Sequence, residues 1–138
     1  MSGQRLTGPE ILEVDEQRIV GRYTFREDEW FYPGHFPGRP VTPGVILLES
    51  MCQVGVVALG IYLFVLEHSV DEARNWTTLF VDAESEFLRS VLPGECVTLR
   101  GERIFWRRNK LRARIEMFGA DGALVAQTTA SGLGVRHG

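Results

Sequence analysis

The stretch that decides the fold is Pro43-Gly44-Val45-Ile46-Leu47-Leu48-Glu49-Ser50-Met51-Cys52-Gln53-Val54-Gly55-Val56-Val57-Ala58-Leu59-Gly60-Ile61-Tyr62-Leu63-Phe64-Val65-Leu66. From Val45 onward its only polar members are Glu49, Ser50, Gln53 and the Tyr62 hydroxyl. Proline just before the run and Glu67-His68 just after it bracket a helix of about six turns at 3.6 residues per turn. The uninterrupted apolar part, Val54 to Leu66, is 13 residues. A bilayer span needs roughly 20, and extending the run backwards takes in Gln53 and Glu49. The expectation is no membrane insertion, but a helix apolar on all sides because protein surrounds it.

Both flanks supply candidate strands to surround it. Upstream, Ile19, Tyr23 and Phe25 alternate with Arg18, Arg22, Thr24 and Arg26, the pattern of a half-buried strand. Asp15-Glu16-Gln17 forms a turn from an earlier strand near Leu12–Val14. Downstream of a polar connection, Ser69 to Asn75, strands are expected within Trp76–Phe87 and Val97–Phe105. Leu111, Ala113, Ile115 and Met117 then alternate with Arg112, Arg114, Glu116 and Phe118, and Leu124, Ala126 and Thr128 with Val125, Gln127 and Thr129. Asp121-Gly122 and Arg108-Asn109-Lys110 are turn signals. Strands, one apolar helix and a run of strands predict an α+β fold, an antiparallel sheet wrapped around one long central helix.

The chain has 138 residues, which predicts a single domain over 1–138. Any large site then opens into the core or forms between copies. A net charge of -3 argues against general nucleic-acid binding. The mean hides an asymmetry. Residues 1–86 carry 6 basic and 14 acidic side chains, and residues 87–138 carry 9 and 4. Seven of the basic residues lie between Arg100 and Arg114. Cys52 and Cys96 are too few for a disulfide framework, and their apolar contexts predict buried free thiols in a reducing, cytoplasmic setting. The first ten residues are polar and show no secretory signal.

Between the first strands and the helix lies Phe31-Tyr32-Pro33-Gly34-His35-Phe36-Pro37-Gly38-Arg39-Pro40. Four prolines between positions 33 and 43 exclude regular helix. Two ionisable residues stand out: His35 in this aromatic segment, and Glu49 in the second turn of the helix. Burial of Glu49 in an apolar helix would raise its pKa and favour the neutral acid, and a neutral carboxyl beside a neutral imidazole makes an acid–base pair. Each has a plainer reading too. His35 as a packed, hydrogen-bonded side chain and Glu49 as a partner of the helix dipole both remain open on residue types alone.

The string Phe31 to Val45, followed by Leu48-Glu49-Ser50-Met51-Cys52-Gln53, closely resembles the signature of the β-hydroxyacyl-acyl-carrier-protein dehydratases of the FabZ type. That family carries a G-H-F-P-G-x-P segment, a P-G helix start and an E-x-M-x-Q segment fourteen residues after the His, and here the His35-to-Glu49 spacing matches. Weaker similarity continues through Phe87-Leu88-Arg89-Ser90-Val91-Leu92-Pro93-Gly94-Glu95. The resemblance implies a hot-dog fold and dehydration of a 3-hydroxyacyl thioester carried on an acyl carrier protein. It assigns the α-proton base to His35, the acid that protonates the departing hydroxyl to Glu49, and an oxyanion-binding amide to Gly44. Phe36 is read as support for the site, and Gln53, one helical turn from Glu49 on the same face, either as support for the site or as structural packing.

The resemblance further implies an obligate homodimer in which His and Glu come from different subunits, with a trimer of dimers as a candidate higher assembly. Glu rather than Asp at position 49 favours dehydration without double-bond isomerisation. Ser50, Cys52, Thr42 and Ser90 depart from residues common in the family and leave chain length open. Cys52 as a thiol nucleophile would need exposure and a nearby base, and the simpler reading is a small buried hydrophobe.

The basic run suggests a landing surface for the acidic carrier at Arg103, Arg107, Arg108, Lys110 and Arg112. The alternative is a solvated sheet face that balances the acidic first half. No metal-ligand cluster or phosphate-binding glycine loop is visible, so no cofactor or metal is expected. Two other functions stay in play on the same scaffold: an acyl-thioester-binding module without turnover, and a thioesterase.

Overall fold

Pro43, extended at φ −60° and ψ 144°, starts the helix α1 (Gly44–Glu67) in the computed structural model, which describes residues 8–26, 28 and 42–136. Helix α1 has α-helical ends, Gly44–Cys52 and Leu59–Glu67, and a π-helical middle, Gln53–Ala58. Three valines and a glycine in that middle have weaker helix propensity than the leucine-rich turns around it. The helix ends where His68 turns extended, its amide donating to the Phe64 carbonyl at 2.9 Å. By length and composition α1 is long and apolar enough to cross a membrane, so the sequence argument from a 13-residue run is too strict. Here a sheet covers it instead: Met51, Val54, Val56 and Leu59 are buried along its length.

The strands are β1 (Glu10–Val14), β2 (Arg18–Thr24), β3 (Trp76–Phe87), β4 (Cys96–Arg107), β5 (Lys110–Phe118) and β6 (Leu124–Arg136). They form one antiparallel sheet in the order β1-β2-β4-β5-β6-β3. This sheet around α1 is the arrangement expected from the element order, and it is the hot-dog fold that the resemblance implies. The period-2 pattern works as the sequence suggested. Leu111, Ala113, Ile115 and Met117 face the helix at 0–1% exposure, while Arg112, Arg114 and Glu116 face outward. Each buried Leu or Ile in such a face contributes about 1.5–3 kcal/mol over an exposed one.

Two elements differ from the sequence reading. Strand β6 continues past Thr129 to Arg136, through Gly132 and Gly134. The polar connection after α1 holds a short helix, α2 (Val70–Ala73). Ser69 and Glu72 form its capping box: the Glu72 amide donates to Ser69 Oγ at 3.0 Å and the Ser69 amide to Glu72 Oε1 at 3.4 Å. The turn between β4 and β5 is the expected one. Arg108 and Asn109 have φ of 51° and 62°, both left-handed, as a two-residue type I′ hairpin requires.

Candidate active site

Every third or fourth residue on the first turns of α1 faces the same way. Val45, Leu48, Glu49, Cys52 and Gln53 therefore share one face, and that face meets β3 at Phe80, Val81, Asp82 and Ala83 to form an open, mainly apolar groove. The β3 side of the groove is shaped by a bulge. Phe80 pairs with Gly132 and Asp82 with Ser131, which leaves Val81 as the extra residue. The sequence reading did not include this β3 wall. Its signal was the adjacent apolar pair Phe80-Val81, which breaks period-2 alternation.

Two carboxylates line the groove, Asp82, which Arg112 pairs at 3.2 Å, and Glu49. Contrary to the expectation of burial, Glu49 is exposed in the single chain. An apolar helix sequence does not reveal that one face stays uncovered by its own sheet. Gln53, also exposed, lies on the same face, and its backbone amide donates to the carbonyls of Glu49 and Ser50. Cys52 is buried beside them, and burial pushes its thiol up to about 11. This favours the hydrophobe reading over a nucleophile. Cys96 is exposed, not buried as expected, because it stands one residue before the inward-facing Val97.

Gly44 is the first residue of α1, where amides lack helical acceptors and the positive dipole end lies. The Ile46 and Leu47 amides donate to the Pro43 carbonyl at 3.0 and 3.2 Å. Among the described residues, the Gly44 and Val45 amides have no acceptor. The Phe87 ring packs next to Gly44, 3.5 Å from where a Cβ would stand. His35 and Phe36 lie outside the described residues.

The stretch at the end of β3 that resembles F-x-R-x-V-x-P-G has structural roles at three of its positions, Arg89, Val91 and Gly94. Val91 is fully buried. Gly94 turns the chain at φ 88°. Arg89 pairs with Glu95 at 2.7 Å and with Asp121 at 3.0 Å.

Of the basic run that the sequence offers as a landing surface, Arg103 and Arg112 are engaged in hydrogen bonds on the sheet. Arg112 bonds Asp82 at 3.2 Å and Ser131 at 2.9 Å. Arg114 bonds Gln127 at 3.0 Å, and Gln127 in turn donates to Glu86 at 2.8 Å. Arg103 reaches Gln17 in the β1–β2 turn at 2.5 Å. Much of the outer face is thus the mixed-charge surface of the alternative reading. Arg107, Arg108 and Lys110 gather at the β4–β5 turn. Among the described residues none of the three pairs with a carboxylate, and Arg107 lies over the Phe105 ring at 4.8 Å. No group of three His, Cys, Asp or Glu among the described residues could hold a metal ion.

The profile of the FabA-like domain family matches residues 9–129. The chain belongs to the FabA-like domain family. Among its curated relatives is a 3-hydroxyacyl-[acyl-carrier-protein] dehydratase FabZ of Moorella thermoacetica, 37% identical over 107 residues, 76% of this chain and 66% of that protein. A protein of the same description from Acetivibrio thermocellus is 33% identical over 119 residues, 85% of this chain and 75% of that one. The chain thus spans 66% of the Moorella relative and 61% of a further FabZ from Desulforamulus reducens. In three dimensions this FabA-like chain is similar to a hypothetical thioesterase protein with coenzyme A from Streptococcus pneumoniae. The TM-score is 0.67 at 13% identity, over 96% of this chain and 89% of the other. The E. coli PaaI protein matches at TM-score 0.65 and 14% identity, over 91% and 82%. These likenesses show the shared hot-dog fold.

Proposed function

We propose that this protein is a hot-dog enzyme acting on acyl thioesters, and that its reaction is dehydration of a (3R)-hydroxyacyl thioester on an acyl carrier protein to the trans-2-enoyl thioester. The observation that carries the reading is that Glu49 lines an apolar groove on the first turns of the helix that Gly44 opens, where among the described residues the Gly44 amide has no acceptor. Their fit to the FabZ-type string, fourteen residues from His35, and the FabZ relatives support dehydration.

In this reading the His35 imidazole removes the α-proton. The electron pair moves into the thioester carbonyl, and the enolate oxygen develops negative charge. The Gly44 amide, at the positive end of α1, stabilises that oxygen. Donors placed so contribute about 3–4 kcal/mol to such steps. As the pair returns to form the Cα–Cβ double bond, the β-hydroxyl departs with the proton of a neutral Glu49 carboxyl, as water. His35 keeps the α-proton and Glu49 ends as carboxylate, so a proton passes back between them or through solvent before the next turnover. Val45, Leu48, Phe80 and Val81 offer the acyl chain an apolar wall.

A homodimer completes the site. Strand β3 is a sheet edge, and among the described strands it pairs only with β6. Leu79, Phe80, Val81 and Phe87 are exposed along it, beside the groove that holds Glu49. A long edge strand that exposes large apolar side chains is normally covered in a working protein. A second copy laid there would bury Glu49 and could bring its own His35. The carrier is read to dock at Arg107, Arg108 and Lys110. The turn itself would favour Gly or Asn at Arg108, so geometry does not account for the charge there.

Mass analysis of the products tests the chemistry. Loss of one water from the carrier-bound acyl group supports dehydration. A free acid instead means a thioesterase, and unchanged but bound substrate means a binding module. Mixing inactive His35→Ala and Glu49→Gln proteins should restore activity through hybrid dimers that hold one intact site. No restoration after proven subunit exchange would refute the shared site.

A further inference from the structure

The loop between β3 and β4, residues 88–95, grips both flanks of the segment that carries His35. On the upstream flank, the Phe25 amide donates to the Glu95 carbonyl at 3.0 Å, and the Gly94 amide donates to the Phe25 carbonyl. On the downstream flank, the Thr42 amide donates to the Val91 carbonyl at 2.9 Å. Phe25 and Val91 are fully buried, and Thr42 is nearly so. The residue just before the loop, Phe87, packs beside Gly44. A single loop therefore ties down the backbone on either side of the aromatic segment and touches the start of α1.

The Leu88 and Arg89 amides tie the start of this loop to the Val125 carbonyl at 2.7 and 3.3 Å, and one side chain ties its start to its end and to the next turn. Arg89 Nη2 donates to Glu95 Oε2 at 2.7 Å and to Asp121 Oδ1 at 3.0 Å, and Nη1 donates to Glu95 Oε1 at 3.3 Å and to the Ser90 carbonyl at 2.7 Å. The Glu95 carboxylate also accepts from the Leu92 amide at 3.3 Å and the Ala120 amide at 3.1 Å. The guanidinium thus bridges the loop to the β5–β6 turn. Gly119 leaves it room, since a Cβ there would overlap Arg89 Nη2. A bidentate arginine–carboxylate pair whose acid also accepts backbone amides fixes geometry more firmly than a surface ion pair.

We propose that Arg89 is a positioning residue for the reaction. Through Glu95 and Asp121 it fixes the loop that holds Phe25 and Thr42, and with them the two ends of the His35 segment. The proposal rests on the reading of His35 as the base. It acts at a distance from substrate, so it is expected in kcat and in local order rather than in substrate affinity.

Residue-resolved amide hydrogen exchange and steady-state dehydration assays on the full chain test it together. Arg89→Gln should speed exchange at Phe25 and Thr42 about tenfold or more and leave Ile115 in β5 unchanged. In the same protein kcat should fall about 10- to 100-fold, the scale set by small misplacements of catalytic groups, with KM within about twofold. Arg89→Lys should recover part of the kcat, and Asp121→Asn should show a smaller version of both effects. Unchanged exchange at Phe25 and Thr42 in Arg89→Gln overturns the proposal. So does a uniform rise across β5 and β6 in both Arg89→Gln and Glu95→Gln, which would make the cluster a general stability element. His35→Ala in the same assay tests the underlying reading by itself. Full activity there removes His35 as the base and leaves the exchange result standing.

Discussion

Gly101 of β4 and Gly55 of α1 meet backbone to backbone: a Cβ on Gly101 would stand 3.0 Å from the Gly55 Cα. A Cβ on Gly55 would overlap Ile115 Cγ1 on the neighbouring strand. The helix therefore sits on the sheet at a distance only glycine permits, at the centre of its π-helical stretch. Gly55→Ala should destabilise the protein by about 1–3 kcal/mol through overpacking. Gly60, one helical turn and a little more onward, is different. Its Cβ would make an ordinary 3.8 Å contact with Leu111. Gly60→Ala should be neutral or stabilising by up to about 1 kcal/mol. Urea denaturation of the two variants reads the contrast, and a Gly55→Ala protein as stable as the native one would contradict the packing argument.

Acid should release the Arg89 cluster. The Arg89 hydrogen bonds, followed by the Ala120 and Leu92 amides, hold the Glu95 carboxyl below its ordinary value of 4.5 despite partial burial. The Ala123 amide and then Arg89 hold Asp121 below its ordinary 3.8. Both folded values are depressed, so both groups contribute stability that is complete above their ordinary values and lost as pH falls through the folded ones. Stability of the native protein should therefore decline with a steeper slope below about pH 4.5 than that of Glu95→Gln. Parallel slopes in thermal melts between pH 3 and 5, about the carboxylate range, would count against the pairing.

The two thiols should react in sequence. Burial pushes Cys52 up to about 11 and hides it, whereas Cys96 is exposed. A thiol reagent at about pH 8 should label Cys96 quickly and Cys52 only after unfolding, since the thiolate is the reactive form. Cys96→Ser should abolish the fast phase. A fast phase that survives in Cys96→Ser would place Cys52 in contact with solvent.

Charge at the β4–β5 turn should matter for a carrier-borne substrate alone. Arg107→Glu with Arg108→Glu should lower kcat/KM for the carrier-bound thioester about tenfold, more at low salt, and spare a small thioester mimic. Equal loss on both substrates would remove the docking surface from the reading. Arg108→Gly is a useful control, because it removes charge while relieving about 1 kcal/mol of left-handed strain.

Most of the fold could be read from local pattern. Pro43 and His68 mark the helix ends because both act through the backbone of their immediate neighbours. Strands β2 and β5 were visible because a single buried face imposes period 2 on the sequence. The capping box of Ser69 and Glu72 is equally local, but the four-residue helix it starts is too short to impose an apolar period on its polar neighbours. The misread features depend on contacts between distant segments. Glu49 is exposed because its groove against β3 lies open at the sheet edge, and no helix pattern carries that information. Arg112 is neutralised by Asp82, two strands away and 30 residues earlier, so charge density along the chain overstated the basic patch. The roles proposed for Glu49 and Gly44 rest on the length of the motif, since neither residue type alone distinguishes an acid or an oxyanion site from a helix start.

The order of elements along the chain has a consequence for synthesis. Helix α1 ends at Glu67, but β6, which completes the cover over it, ends at Arg136, roughly 70 residues later. At about 5–20 residues per second, a growing chain carries this helix without its full cover for several seconds. During that interval it is a bare hydrophobic rod long and apolar enough to suit a lipid bilayer. The nascent helix is therefore open to targeting factors and to other growing chains during that interval, and slowing translation after Glu67 should raise its demand for chaperones.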